Sequence, residues 1–83
     1  MASIQPHNES DLYSLGYNYL LAGEYVRAEE TFRQYTQTYP SAENAGDAQY
    51  WLGESLYAQK KYREAAEVFL TAQKQHGTSS KGP

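Results

Sequence analysis

Shifting the chain by thirty-seven positions lays Tyr13, Leu15, Gly16, Tyr25, Ala28, Glu30 and Phe32 on Tyr50, Leu52, Gly53, Tyr62, Ala65, Glu67 and Phe69. Matches at one offset, with small and large apolar residues in the same order, identify two copies of one unit. The fold must therefore be one that such a unit builds with a twin beside it.

Each unit reads as a pair of helices. Asn8, followed three residues later by Asp11, resembles a helix start: the Asn8 side chain can accept a free backbone N–H, and acids in the first turn suit the positive end of the helix dipole. Leu12, Leu15, Gly16 and Tyr19 then fall on one helical face. Gly23 closes this helix, because glycine tolerates the left-handed conformation common just past a helix end. Tyr25, Ala28, Phe32 and Tyr35 form a second stripe that stops before Pro40, whose missing N–H ends a helix. Two helices of about 15 residues and ~22 Å, joined by so short a turn, must run antiparallel.

The same pattern repeats. Ser41 is expected to cap a third helix reaching about Gln59, with Gly46 weakening its first turn and a half by ~1 kcal/mol. Lys60 and Lys61 sit at its negative end. A fourth helix runs from Tyr62 to His76, with Gly77 ending it. The expected organisation is a loose lead over 1–7, one repeat over 8–40, a second over 41–76 and a disordered tail over 77–83. The fold class is all-α: four antiparallel helices in two hairpins. Where the second helix carries Glu29, Thr31 and Arg33, the fourth carries Ala66, Val68 and Leu70. That wide apolar face predicts a further helix packed on it in a longer natural chain, or contact with another copy.

Composition narrows the function. A chain of 83 residues buries only about 60% of the surface of its unfolded form, leaving little room for a walled catalytic cleft. Seven basic against ten acidic residues, without clusters, offer nothing to nucleic acid or an anionic membrane. Cysteine is absent, and no apolar run approaches the ~20 residues of a membrane span. His7 and His76 lack metal-ligand spacing, and Ser10, Ser14 and Ser55 lack a neighbouring histidine or nucleophile elbow. Glu29, Glu30, Glu64 and Glu67 read as a solvated helix face rather than paired catalytic carboxylates. No catalytic residue, metal site or cofactor is expected, and the chain reads as a non-enzyme.

At this point the residues resemble the tetratricopeptide pattern, Trp-x2-Leu-Gly-x2-Tyr, then Ala-x3-Phe, then Pro. The first unit supplies Leu12, Leu15, Gly16, Tyr19, Ala28, Phe32 and Pro40 in those slots. The second supplies Leu52, Gly53, Leu56, Ala65 and Phe69, with Gln49 and Gly77 departing from the pattern. The resemblance implies a right-handed α-solenoid fragment of two repeats, in which the small residues let helices approach and Phe32 and Phe69 fill the wedge between repeats.

A narrower resemblance rests on Ala48-Gln49-Tyr50-Trp51-Leu52-Gly53-Glu54-Ser55-Leu56-Tyr57, with Ala22-Gly23-Glu24-Tyr25 and Phe32-Arg33-Gln34-Tyr35 before it and Lys61-Tyr62 after. This text is similar to the C-terminal repeat domain of the Tol-Pal-associated periplasmic family YbgF/CpoB. The resemblance implies a periplasmic adaptor that binds TolA and links peptidoglycan synthesis to outer-membrane constriction at division, with the cell-wall synthesis machinery as a further partner. The alternative is a structural or oligomerisation repeat of another envelope protein, such as a BamD-like assembly factor, since similar text occurs there. A third reading is an auxiliary domain of a cell-wall enzyme.

In the tetratricopeptide fold the first helix of each pair lines a concave face. The consensus slots then place Tyr13, Tyr17, Leu20 and Leu21 from the first repeat there, and Tyr50, Trp51, Glu54 and Tyr57 from the second. Tyrosine and tryptophan bring large contact area at low entropic cost, so these residues form a candidate partner-binding groove. Tyr17, Trp51 and Tyr57 suit either a groove or packing between helices; Tyr13 and Tyr50, repeated at one slot, suit packing. Repeat domains that grip a terminal carboxylate do so with lysine, arginine and asparagine, but here the relevant slots hold Tyr17 and Glu54. Ala66, Val68 and Leu70 form the candidate self-association face for a homo-oligomer. Two hairpins stabilised mainly by neighbour contacts are expected to be marginally stable.

Overall fold

The computed structural model describes residues 8–76. Four helices follow one another: α1 (Glu9–Leu21), α2 (Tyr25–Thr38), α3 (Ala45–Ala58) and α4 (Tyr62–His76). They pack as two antiparallel pairs, the tetratricopeptide arrangement. Each helix lies against the next, and α1 also meets α3. α1 and α3 thus form one layer, and α2 and α4 the other. The lead over 1–7 and the tail over 77–83, Gly77 included, lie outside the described residues.

Asn8 caps α1 as its position predicts, accepting the Asp11 N–H at 2.8 Å. Gly23 takes φ +79°, and the turn closes with Glu24 N–H on the Tyr19 carbonyl at 2.9 Å and Gly23 N–H on that of Leu20 at 3.1 Å. This pair of hydrogen bonds satisfies carbonyls that the helix end leaves free. The second hairpin repeats it: Lys61 N–H reaches Leu56 at 3.0 Å and Lys60 N–H reaches Tyr57 at 2.9 Å. There the left-handed residue is Lys60, at φ 67°.

The start of α3 differs from expectation. Ser41 is exposed and does not cap it; residues 40–44 form successive turns, and the helix begins at Ala45. Burial of Ala45 (1% exposed) and Ala48 (0%) sets its phase. Asn44, at the cap position, makes no side-chain capping bond, and its amide nitrogen donates to Glu9 Oε2 at 3.0 Å.

The core is formed by Leu12, Ala28, Phe32, Tyr35, Ala45, Ala48, Leu52, Leu56 and Ala65. In each pair the phenylalanine ring lies over the glycine of its partner helix. A Cβ on Gly16 would sit 3.0 Å from the Phe32 ring, and one on Gly53 2.5 Å from that of Phe69. The phenylalanines therefore close the wedge within each hairpin, against the small residue of the paired helix, rather than the space between repeats that their consensus slots suggested. Where α2 faces α3, the edge is covered. The equivalent edge of α4 leaves Tyr62 54% and Leu70 52% exposed.

Candidate functional site

Trp51 is the hub of the aromatic face. Projecting from α3 towards α1, its indole N–H donates to the Tyr13 hydroxyl at 2.9 Å. Its ring meets Tyr17 edge-on at 5.6 Å between centroids and Tyr50 at 5.3 Å. Tyr13 in turn packs edge-on against Phe32 at 5.8 Å and Tyr35 at 5.6 Å, and Tyr50 leans on Phe69 at 5.4 Å. A continuous run of rings thereby joins both hairpins across the α1–α3 layer. Edge-to-face pairs of this kind add about 0.5–1.5 kcal/mol beyond the area they bury.

The candidate residues separate by exposure. Tyr13 is half-buried and anchors the floor, and Trp51 is half-buried between its neighbours. Tyr17, Tyr50 and Tyr57 present 37%, 47% and 57% of their surface to solvent. Tyr57 also meets Tyr62 at 5.0 Å, which draws the rim of the site towards α4. Leu20 packs against the core, while Leu21 stands exposed beside the layer.

On α3, Asp47, Tyr50, Glu54 and Tyr57 recur at i, i+3, i+7 and i+10, which at 3.6 residues per turn is a single stripe. Acid and aromatic side chains alternate along it. The Glu54 carboxylate, one turn from Tyr50, holds that hydroxyl above its ordinary pKa by hydrogen bonding and by charge. Burial pushes the Tyr13 hydroxyl up; the Trp51 N–H opposes this, and the charge of Asp47 adds to it.

Ala66, Val68 and Leu70 do not make one patch. At about 100° per residue, Val68 turns away from the other two; it packs half-buried against the core, whereas Ala66 and Leu70 are exposed. The apolar edge that does exist consists of Tyr62, Ala66 and Leu70, with Phe69 beneath.

Two polar assemblies escape a local reading of the sequence. Glu9, in the first turn of α1, receives the Tyr35 hydroxyl and the Asn44 amide, joining α1, α2 and the entry to α3. Burial and this carboxylate together raise the Tyr35 pKa far above the usual tyrosine value. Glu29 is not a solvated helix residue: its side chain is only 14% exposed. It takes Gln59 Nε2 at 2.8 Å and Arg33 at 3.0 Å, with Lys61 at 3.6 Å. Burial pushes its pKa up, but these three partners together outweigh burial and leave it lowered. The partners in these networks lie 26 to 35 residues apart in sequence, so only the paired i, i+4 charges of Glu29 and Arg33 were visible as a local signal.

Among the described residues no group of three or more His, Cys, Asp or Glu is placed to hold a metal ion, and no helix is long and apolar enough to cross a membrane. A shallow cavity of about 280 Å³ between α1 and α2, lined by Leu12, Leu15, Thr31 and Gln34 among others, contains none of the aromatic-face residues.

A family model described as anaphase-promoting complex, cyclosome, subunit 3 matches residues 1–72. No curated protein and no solved structure gives a significant match to the chain.

Proposed function

Because the chain belongs to the anaphase-promoting complex, cyclosome, subunit 3 family, with its tetratricopeptide-type repeats, we propose that the α1–α3 face of this protein-interaction module receives a segment of a partner protein. The observation that carries this reading is the exposed aromatic face: Tyr17, Tyr50 and Tyr57 held outward around the half-buried Trp51. Rings already fixed by their neighbours lose little freedom on binding, so their contact area is used efficiently. The family's description as a subunit of a complex supports an assembly role.

The finer reading is a periplasmic, Tol-Pal-associated adaptor with TolA as partner, active in coordinating wall synthesis with constriction at division. It is supported by the Tyr50-Trp51-Leu52-Gly53-Glu54 run and its flanks. The test is an NMR titration of the labelled chain with the periplasmic part of TolA. Saturable shifts centred on Tyr17, Trp51, Glu54 and Tyr57 are expected, and Tyr57→Ala weakens binding by more than about 1 kcal/mol while helicity is retained. Trp51→Ala weakens it as well but also disturbs the junction with Tyr13, so Tyr57 is the cleaner probe. Full affinity in the Tyr57 variant overturns the assignment of the face; absence of shifts overturns TolA as partner.

A second reading, association through the α4 edge, is favoured by the exposure of Tyr62 and Leu70. Sedimentation over a range of concentrations tests it, and a strict monomer at the highest concentration rules it out.

A further inference from the structure

The two helices that form the aromatic face carry charge of one sign only. α1 and α3 contribute Glu9, Asp11, Asp47 and Glu54 and no lysine or arginine. All the basic residues of the described chain, Arg27, Arg33, Lys60, Lys61, Arg63 and Lys74, lie on α2, α4 and the turn before α4. Glu9 is engaged by Tyr35 and Asn44; among the described residues Asp47 and Glu54 form no ion pair, Glu54 acts on the neutral Tyr50 hydroxyl, and both acids share one stripe with Tyr50 and Tyr57.

We infer that the α1–α3 face selects a basic partner segment, its arginines or lysines directed to Asp47 and Glu54 and laid over the intervening tyrosine rings. The inference rests on the interaction reading above and specifies the partner's chemistry. Charge complementarity is its first support: a cation approaching this layer meets carboxylates with no competing base on the same helices. The second is the alternation of acid and ring. Arginine and lysine pack their aliphatic stems on apolar surface while the charged head reaches water or a carboxylate, and guanidinium groups favour aromatic faces. The chain already makes this pairing once, with the Arg27 guanidinium 5.9 Å from the centre of the Tyr19 ring. The third is spacing: two helical turns separate Asp47 from Glu54, about 10 Å, close to the ~9 Å that a peptide in the polyproline II conformation spans in one turn of three residues. Cations at every third position of a polyproline II segment share one face and therefore meet successive acids. An acidic tail, by contrast, meets repulsion along the whole stripe.

The test compares three peptides of equal length, repeating Arg-Ala-Leu, Gln-Ala-Leu and Glu-Ala-Leu, titrated into the labelled chain and followed by the amides of α1 and α3 and the Trp51 indole N–H. The arginine peptide is expected to shift Asp47, Tyr50, Glu54 and Tyr57, with affinity that falls between about 0.05 and 0.5 M salt. The glutamate peptide is expected to leave them in place. Asp47→Asn and Glu54→Gln preserve side-chain shape and should each weaken the arginine peptide about two- to fivefold, helicity being unchanged. If the glutamine peptide binds as tightly as the arginine peptide, without salt dependence, the charge selection is overturned and the face remains an interaction surface. If the arginine peptide produces no shifts, or binds both variants at full strength, the inference is likewise overturned, and the partner titration alone then decides the underlying reading.

Discussion

Phe32 and Phe69 occupy one slot in the two copies of the repeat, over Gly16 and Gly53, yet Phe32 is 0% exposed and Phe69 is only half-buried. The difference lies in what covers them. α2 packs extensively on α1 on one side and on α3 on the other, while α4 packs extensively only on α3 among the described helices. The same contrast runs through the other equivalent positions: buried Tyr35 corresponds to Ala72, the Glu9 that binds it to Gly46, and the bridging Glu29 to the exposed Ala66. The first hairpin is closed by polar ties to its neighbour; the second presents an apolar edge. In a repeat array, stability resides largely in the interfaces between units, and here the one complete interface makes the first hairpin the better-defined half.

The contrast can be broken most sharply at the phenylalanines. Phe32→Ala should destabilise the chain by about 3–5 kcal/mol, whereas Phe69→Ala, losing a ring already half in water, should cost about 1–2 kcal/mol. Urea unfolding followed by circular dichroism measures both, and equal losses would show the two hairpins to be equally closed.

Next in size is the tie at Glu9. Tyr35→Phe keeps the ring packing with Tyr13 and Tyr39 but removes the hydroxyl donated to a carboxylate, a loss of about 1.5–3 kcal/mol. An unchanged unfolding midpoint would mean that Asn44 alone suffices for Glu9.

Glu29 adds a pH dependence at a position that holds Ala66 in the second repeat. Its folded-state pKa is lowered, so the stability it supplies is present above its unfolded value of about 4.3 and is lost as pH falls through the folded one. Glu29→Gln should flatten the acid limb of a stability profile taken from about pH 7 to 3. Ala66→Glu, which has no Gln59, Arg33 or Lys61 to meet it, should change neutral-pH stability by less than about 0.5 kcal/mol. A Glu29→Gln profile as steep as that of the parent chain would assign the acid limb to other carboxylates.

The smallest expected effect is at the turns. Lys60 holds the left-handed conformation that Gly23 holds in the first hairpin. Lys60→Gly should therefore stabilise by about 0.5–1 kcal/mol, and Gly23→Lys should cost about as much. Thermal melts of the two variants check this opposition of sign.

Much of this architecture was legible from residue spacing. The thirty-seven-residue echo, the Asn8 cap and the Gly23 turn specified helices, hairpins and their order because each signal is local. The tetratricopeptide slots likewise brought Tyr13, Tyr17, Tyr50, Trp51, Glu54 and Tyr57 to one layer. What sequence spacing missed depends on contact between distant residues. Ser41 looked like a cap, but burial of Ala45 and Ala48 against the first hairpin moved the helix start. Glu29 looked solvated because its partners Gln59 and Lys61 arrive from the next repeat. Lys60 gave no sign of its left-handed backbone, since the residue type that usually reveals that conformation is glycine. Ala66, Val68 and Leu70 were grouped by their contrast with polar counterparts, a comparison that ignores helical phase and so placed Val68 with residues it does not accompany.

Trp51, the one tryptophan among nine tyrosines, lies where the hairpins meet, within 5.6 Å of the Tyr17 ring on α1 and 5.3 Å of Tyr50 on its own helix. Light absorbed by the tyrosines will therefore be emitted largely by this single indole, through resonance transfer that fades steeply with separation. The share of that emission sensitised by tyrosines of the first hairpin is lost when the hairpins part, so its disappearance reports their separation without a label.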